Sequence, residues 1–141
     1  MRKRTKAREC ALQVLYQIDI TKNDYRLCLD DYWSVNGDVE DTIKEFAGEL
    51  VRGTMENAAK IDSVIASYAT NWNIDRMAVV DRNILRFATY ELLFCKEIPP
   101  KVSINEAVDI AKKYGDKDSG KFVNGILDKI SKTEKVDGKK G

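Results

Sequence analysis

Ala7, Cys10, Ala11, Val14, Leu15 and Ile18 recur at intervals of three and four residues, the spacing that gathers apolar side chains on one face of an α-helix. The same period returns in Ile43, Phe46, Ala47, Leu50 and Val51, and in Ile61, Val64, Ile65 and Tyr68. It returns again in Val79, Val80, Ile84, Phe87, Ala88 and Leu92, in Ile104, Ala107, Val108 and Ala111, and in Val123, Ile126, Leu127 and Ile130. No segment alternates apolar and polar residues as a half-buried strand would. Only two prolines and eight glycines interrupt the 141 residues. The expectation is an all-α chain of about seven helices.

Boundary signals divide the pattern. The first helix is expected from Arg4 to Ile20, with a break at Thr21–Asp24. A shorter helix runs from Tyr25 to Trp33 and stops before the turn residues Asn36, Gly37 and Asp38. Asp41 is placed as the cap of the next helix, which continues past a kink near Asn57 to Thr70. After a connection at residues 71–74, Asp75 is placed as the cap of the longest apolar helix, which must end before Pro99-Pro100. Ser103 and Glu106 have the spacing of a capping box. Gly115 stands where a left-handed glycine would stop that helix, and Asp118 or Ser119 then caps the last one. The length suits one domain over 1–141, or two small lobes sharing a core. Residues 1–8 form a basic arm and 132–141 a frayed polar tail.

Composition narrows the chemistry. Hydrophobic residues make up 43% and charged residues 33%, the balance of a globular protein with a well-solvated exterior. Cys10, Cys28 and Cys95 are odd in number and lack CxxC spacing, so they read as buried thiols in a reducing compartment. No stretch approaches the ~18 apolar residues of a membrane span, and the basic N-terminus lacks an apolar signal region. A cytoplasmic protein with no membrane partner is expected. Histidine is absent, which removes the commonest general acid/base and metal ligand. No nucleophile–base pair, carboxylate dyad, cofactor loop or metal site can be assembled.

The net charge is only +1, but it is unevenly placed. Arg2, Lys3, Arg4, Lys6 and Arg8 crowd the first eight residues with no acid among them. Such an arm is either an electrostatic clamp for nucleic-acid phosphates or an ordinary solvated tail. From Asp19 to Glu56, acids outnumber bases.

One motif is a near miss. Gly115, Gly120 and Lys121 match the phosphate-loop pattern GxxxxGK[ST], but Phe122 stands where a hydroxyl must reach magnesium. A phosphate loop also follows a strand, and this one follows a helix. Lys121 beside Phe122 at a helix start suits stacking on an unpaired base better. Phe122 lies about 90° from its helix's apolar stripe, so it is either a rim platform or a ring tucked under a neighbouring helix. Gly125 leaves room beside it. Arg8, Leu12 and Tyr16 form a line on the first helix, with Tyr16 either at the core edge or free for a partner. Asp81 can face solvent or a partner. Arg82, Arg86 and Glu91 read as ion-pairing residues, and Trp33 and Trp72 as core or junction anchors. Asp30 and Asp31 read as solvated charge.

Three segments carry a resemblance: ARECALQVLY from Ala7 to Tyr16, VVDRNILRFATYEL from Val79 to Leu92, and the run from Ile98 to Ile130 containing INEAV and then SGKFVNGIL. Through these the chain resembles the bacterial transcription antitermination factor NusB family along nearly its full length. The resemblance implies two packed three-helix bundles and no enzymatic activity. It further implies binding of single-stranded boxA RNA from ribosomal RNA operon transcripts together with NusE, a small-subunit ribosomal protein. The assembly then promotes read-through by RNA polymerase as part of its antitermination complex. By position, the resemblance places Arg2, Lys3, Arg4, Lys6, Arg8, Asp118, Lys121 and Phe122 against RNA, and Tyr16 and Asp81 against NusE. A homodimer hiding the RNA surface is an alternative to a monomer. The competing readings are a helical accessory subunit of a ribosomal RNA methyltransferase, and a purely structural helical dimer.

Overall fold

The computed structural model describes residues 2–134. Within them are seven α-helices and no strand: α1 Lys3–Thr21, α2 Tyr25–Asn36, α3 Asp41–Glu56, α4 Ala58–Tyr68, α5 Val79–Phe94, α6 Pro100–Tyr114 and α7 Ser119–Thr133. A short 3-10 turn, Ile74–Arg76, precedes α5. The chain divides into two compact units, Met1–Glu56 and Asn57–Gly141, so the seven helices fall three and four. Asn57, the expected kink, is a full break between helices. The expected tail begins later than Lys132, because α7 runs to Thr133; residues 135–141 lie outside the described residues.

In the first unit, α1 packs along α3 with α2 beside both. The predicted α1 stripe is buried throughout, and Cys10 and Cys28 are buried free thiols. The basic arm is not a loose tail: α1 begins at Lys3, and the Lys6 amide already donates to the Arg2 carbonyl at 3.1 Å. α1 is closed after Thr21 by Lys22, which adopts a left-handed backbone (φ 61°) and donates its N–H to the Ile18 carbonyl. Asp24 caps α2 by accepting from the Arg26 amide at 2.8 Å, and α2 extends to Asn36 rather than stopping at Trp33. Asp41 is the first residue of α3, not its cap. The Glu40 carbonyl accepts from the amides of Ile43 and Lys44, leaving Asp41 to place charge near the positive helix end.

In the second unit, α5 contacts α4, α6 and α7. It is accordingly buried almost all round, through Ile84, Leu85, Phe87, Ala88, Leu92 and Leu93. Each large apolar side chain of this kind contributes about 1.5–3 kcal/mol by leaving water. Two of its polar residues are paired across helices. Arg86 grips Asp62 of α4 through two bonds of 2.9 and 3.0 Å, a bidentate geometry that fixes both helices. Glu91 is fully buried and accepts from the Ser103 hydroxyl of α6 at 2.9 Å.

That bond explains why the capping box fails. Ser103 is three residues inside α6, which starts at Pro100. Proline at the first helical position has its φ already set and no N–H to satisfy. Asp75 likewise does not cap α5. It sits in the 3-10 turn, where Asn73 accepts from its amide, and α5 opens after Ala78 without a side-chain cap. Gly115 does end α6, but in extended backbone (φ −93°) rather than left-handed. Its requirement is steric: a Cβ there would lie 2.3 Å from Ser119 Oγ and 2.9 Å from the Ala111 carbonyl oxygen. No helix among the described residues is long and apolar enough to cross a membrane.

Candidate nucleic-acid interface

The α6–α7 corner brings together three of the predicted residues. Asp116 accepts from the Asp118 amide at 2.8 Å, and the Ser119 hydroxyl accepts from the Asp116 amide at 3.0 Å. This local network, closed over Gly115, turns the chain into α7. Asp118 therefore sits at the N-cap position without capping, and its carboxylate is exposed. Lys121 is exposed in the first turn, and Phe122 is half-buried one residue on. Its ring is neither fully covered nor fully free. It meets Trp72 edge to face, with ring centroids 5.5 Å apart and planes at 77°. Gly125 is open, with nothing within 4 Å of where its Cβ would be. The near-phosphate loop is thus a helix-entry corner presenting a carboxylate, an ammonium and an aromatic ring.

On the first unit the arm residues separate. Arg2, Lys3 and Arg4 are exposed and Lys6 is half-buried. Lys3 pairs with Glu40 at 2.7 Å, and the Arg4 guanidinium lies 4.4 Å from the centre of the Phe46 ring. Lys3, Arg4, Thr42, Glu45, Phe46 and Glu49 line a shallow hollow of about 390 Å³. Glu40, just before α3, and the α3 carboxylates Glu45 and Glu49 thus temper the arm's charge, which the sequence hinted at only through its acid-rich stretch.

Arg8, placed by the resemblance against RNA, is instead inside the unit. It is 2% exposed, with its guanidinium 5.4 Å from the Phe46 ring. The reason is angular: Arg8 neighbours the buried Ala7 and Ala11 on α1, and α3 covers that side. Leu12 is buried too, whereas Tyr16, the third member of that line, is 43% exposed. Ile20, one turn further, is also exposed. Sequence reasoning passes over it because it falls at the predicted helix end.

Asp81, placed against NusE, is also inside: it is 7% exposed, and its Oδ1 is buried with no hydrogen-bond partner. Burial pushes its carboxyl above the ordinary range; the hydrogen bond with Ser119 opposes this and the charge of Asp116 adds to it. A carboxyl pKa raised by folding means that the folded state holds the proton more tightly. Stability from this group is therefore greatest at low pH and is lost as pH rises through the folded-state value. Asp81→Asn is accordingly expected to melt higher than the wild type at neutral pH, by the equivalent of about 1 kcal/mol. The gain should vanish near pH 4, around the unfolded carboxylate value. Melting curves across that pH range check it; a difference independent of pH would mean that Asp81 carries no ionisation cost.

No group of three or more His, Cys, Asp or Glu side chains suited to a metal occurs among the described residues. The geometry supplies charge, hydrogen-bonding groups and exposed rings.

Comparison with known proteins gives the family. A model of the NusB family matches residues 5–132. A transcription antitermination protein NusB from Thermodesulfovibrio yellowstonii is 46% identical over 94% of this chain and 93% of its own length. One from an Anaeromyxobacter species is 50% identical over 92% and 90%. Among solved structures, T. maritima NusB superposes with a TM-score of 0.86 at 43% identity, covering 93% of this chain and 92% of its own. A crystal structure of antitermination factors NusB and NusE in complex with dsRNA matches with a TM-score of 0.87 at 34% identity, covering 95% and 99%. With its all-helical fold, the family model and these relatives in agreement, the chain belongs to the NusB family.

Proposed function

We propose that this chain is a transcription antitermination factor that binds boxA RNA of ribosomal RNA transcripts together with NusE, and so promotes read-through by RNA polymerase. The observation that carries the reading is the exposed Asp118–Lys121–Phe122 corner in a chain of this family, one of whose members has been crystallised with NusE and RNA. It works by binding, without catalysis, in the cytoplasm. Lys121 supplies a cation for a phosphate and Phe122 a ring for a base, while Asp118 accepts from base or ribose donors. On the first unit, Arg2, Lys3, Arg4 and Lys6 supply phosphate-binding cations that are insensitive to sequence. Arg8 serves that surface indirectly, by seating α1 on Phe46. Tyr16, extended by the exposed Ile20 one turn on, offers the surface for NusE, and Asp81, being buried, makes no contact with it.

A gel shift with boxA, scrambled and duplex RNA, with and without NusE, tests this across a salt series. Unpaired boxA should bind best, more tightly with NusE and more weakly with salt. Neutralising Lys3, Arg4 and Lys6 together should flatten the log–log salt slope by about 0.7 for each phosphate that the variant no longer neutralises. Absence of RNA binding at low salt, with and without NusE, would overturn the proposal.

A further inference from the structure

Sequence reading places Trp72 in the core or at a junction, but the structure leaves it 56% exposed, more than any other aromatic ring described in the second unit. It stands in the connection before α5, with its ring nearly perpendicular to that of Phe122. Beside it lies an open hollow of about 740 Å³, lined by Ala66, Ala69, Asn71, Trp72, Asn73 and Arg76 among others. A large indole left in water within contact of a candidate base-stacking ring calls for an occupant.

The connection is held rather than loose. The Trp72 amide donates to the Ala69 carbonyl at 3.0 Å. Asn73 accepts from the Asp75 amide at 2.9 Å, and Arg82 donates to the carbonyls of Ile74 and Asp75 at 3.2 and 3.3 Å. The backbone that carries Trp72 is thereby anchored, which lowers the ordering cost of binding. Asn71 and Arg76 are exposed around it.

We propose that Trp72 and the adjoining hollow form a second nucleobase subsite, in which one unpaired base of the RNA stacks on the indole while Arg76 contacts its phosphate. This rests on the RNA-binding reading and extends it. An unpaired nucleobase fits better than a protein side chain for three reasons. Cations stand close by, Lys121 next to Phe122 in the chain and Arg76 in the lining of the hollow. The hollow's polar lining is rich in carboxamide, able to donate and accept at a base edge. The perpendicular rings also mean that two bases stacked on Trp72 and Phe122 cannot stack on each other. The pair therefore selects a splayed strand over a duplex.

The full-length protein in a Trp33→Phe background, where Trp72 is the remaining tryptophan, provides the readout. BoxA RNA is expected to quench its fluorescence, and Trp72→Ala to weaken RNA binding about tenfold with helicity retained. A set of boxA RNAs, each with one abasic nucleotide, then separates stacking from support of Phe122. At one position the missing base should weaken binding to the wild type and leave binding to Trp72→Ala unchanged. Trp72→Phe should recover part of that loss. Binding without quenching, or abasic penalties identical in wild type and Trp72→Ala, would overturn the subsite while leaving the RNA reading intact. So would a Trp72→Ala protein that loses NusE but keeps its RNA affinity. Failure of the wild type to bind RNA would instead overturn the RNA reading itself.

Discussion

Phe122→Ala is expected to weaken boxA binding by about 5- to 150-fold, the range set by loss of one base–aromatic stack. Phe122 is half-buried and touches Trp72 at the surface, so its removal opens no closed cavity. The cost in stability should stay near ~1 kcal/mol, the size of an aromatic pair with modest burial. Affinity measured by fluorescence anisotropy beside a thermal melt separates the two effects. A folded Phe122→Ala protein with unchanged affinity would remove the ring from the RNA surface. Phe122→Tyr, which keeps a ring face, should bind within a few-fold of the wild type.

Arg8→Ala should behave in the opposite way. Its side chain is among the largest of those fully buried, and its guanidinium lies near Phe46 between α1 and α3. Truncation removes a long stem and a desolvated cation–ring contact and leaves a hole, together costing about 3 kcal/mol or more. In a chain of this length that lowers Tm by roughly 10 °C. Arg4→Ala, whose side chain is exposed on the same ring, should cost under about 1 kcal/mol. If Arg8→Ala melts like the wild type but binds RNA weakly, Arg8 belongs to the RNA surface after all.

These two residues show what could be read before the fold was known. At Phe122 the periodicity located a margin position beside Lys121, and a marginal angle is compatible with both a rim and a covered ring. The answer lay in what approaches from elsewhere, the exposed Trp72 of the connection before α5. At Arg8 a basic residue in a basic run looked like part of a solvated arm. Helical phase puts it beside Ala7 and Ala11, but only the packing of α3 makes that side an interior. Asp81 repeats the lesson in the second unit. One position from the half-buried Val80, it was free to face outward until α7 was laid against α5, which buried it beside Ser119.

The sequence by itself determined the all-helical class, most of the helices with their apolar stripes, and the corner at Gly115. Apolar spacing and proline or glycine punctuation act over a few residues and leave their record locally. Even there, the caps expected at Asp41, Asp75 and Ser103 do not form: Asp41 falls inside α3, Asp75 falls in the 3-10 turn before α5, and the hydroxyl of Ser103, inside α6, is drawn into a tertiary hydrogen bond. Ser103 spends its hydroxyl on Glu91 of another helix. Only the tertiary structure decided which side chains at the stripe margins meet solvent. Exposure there depends on residues distant in sequence, and at a binding surface those margins hold the functional groups.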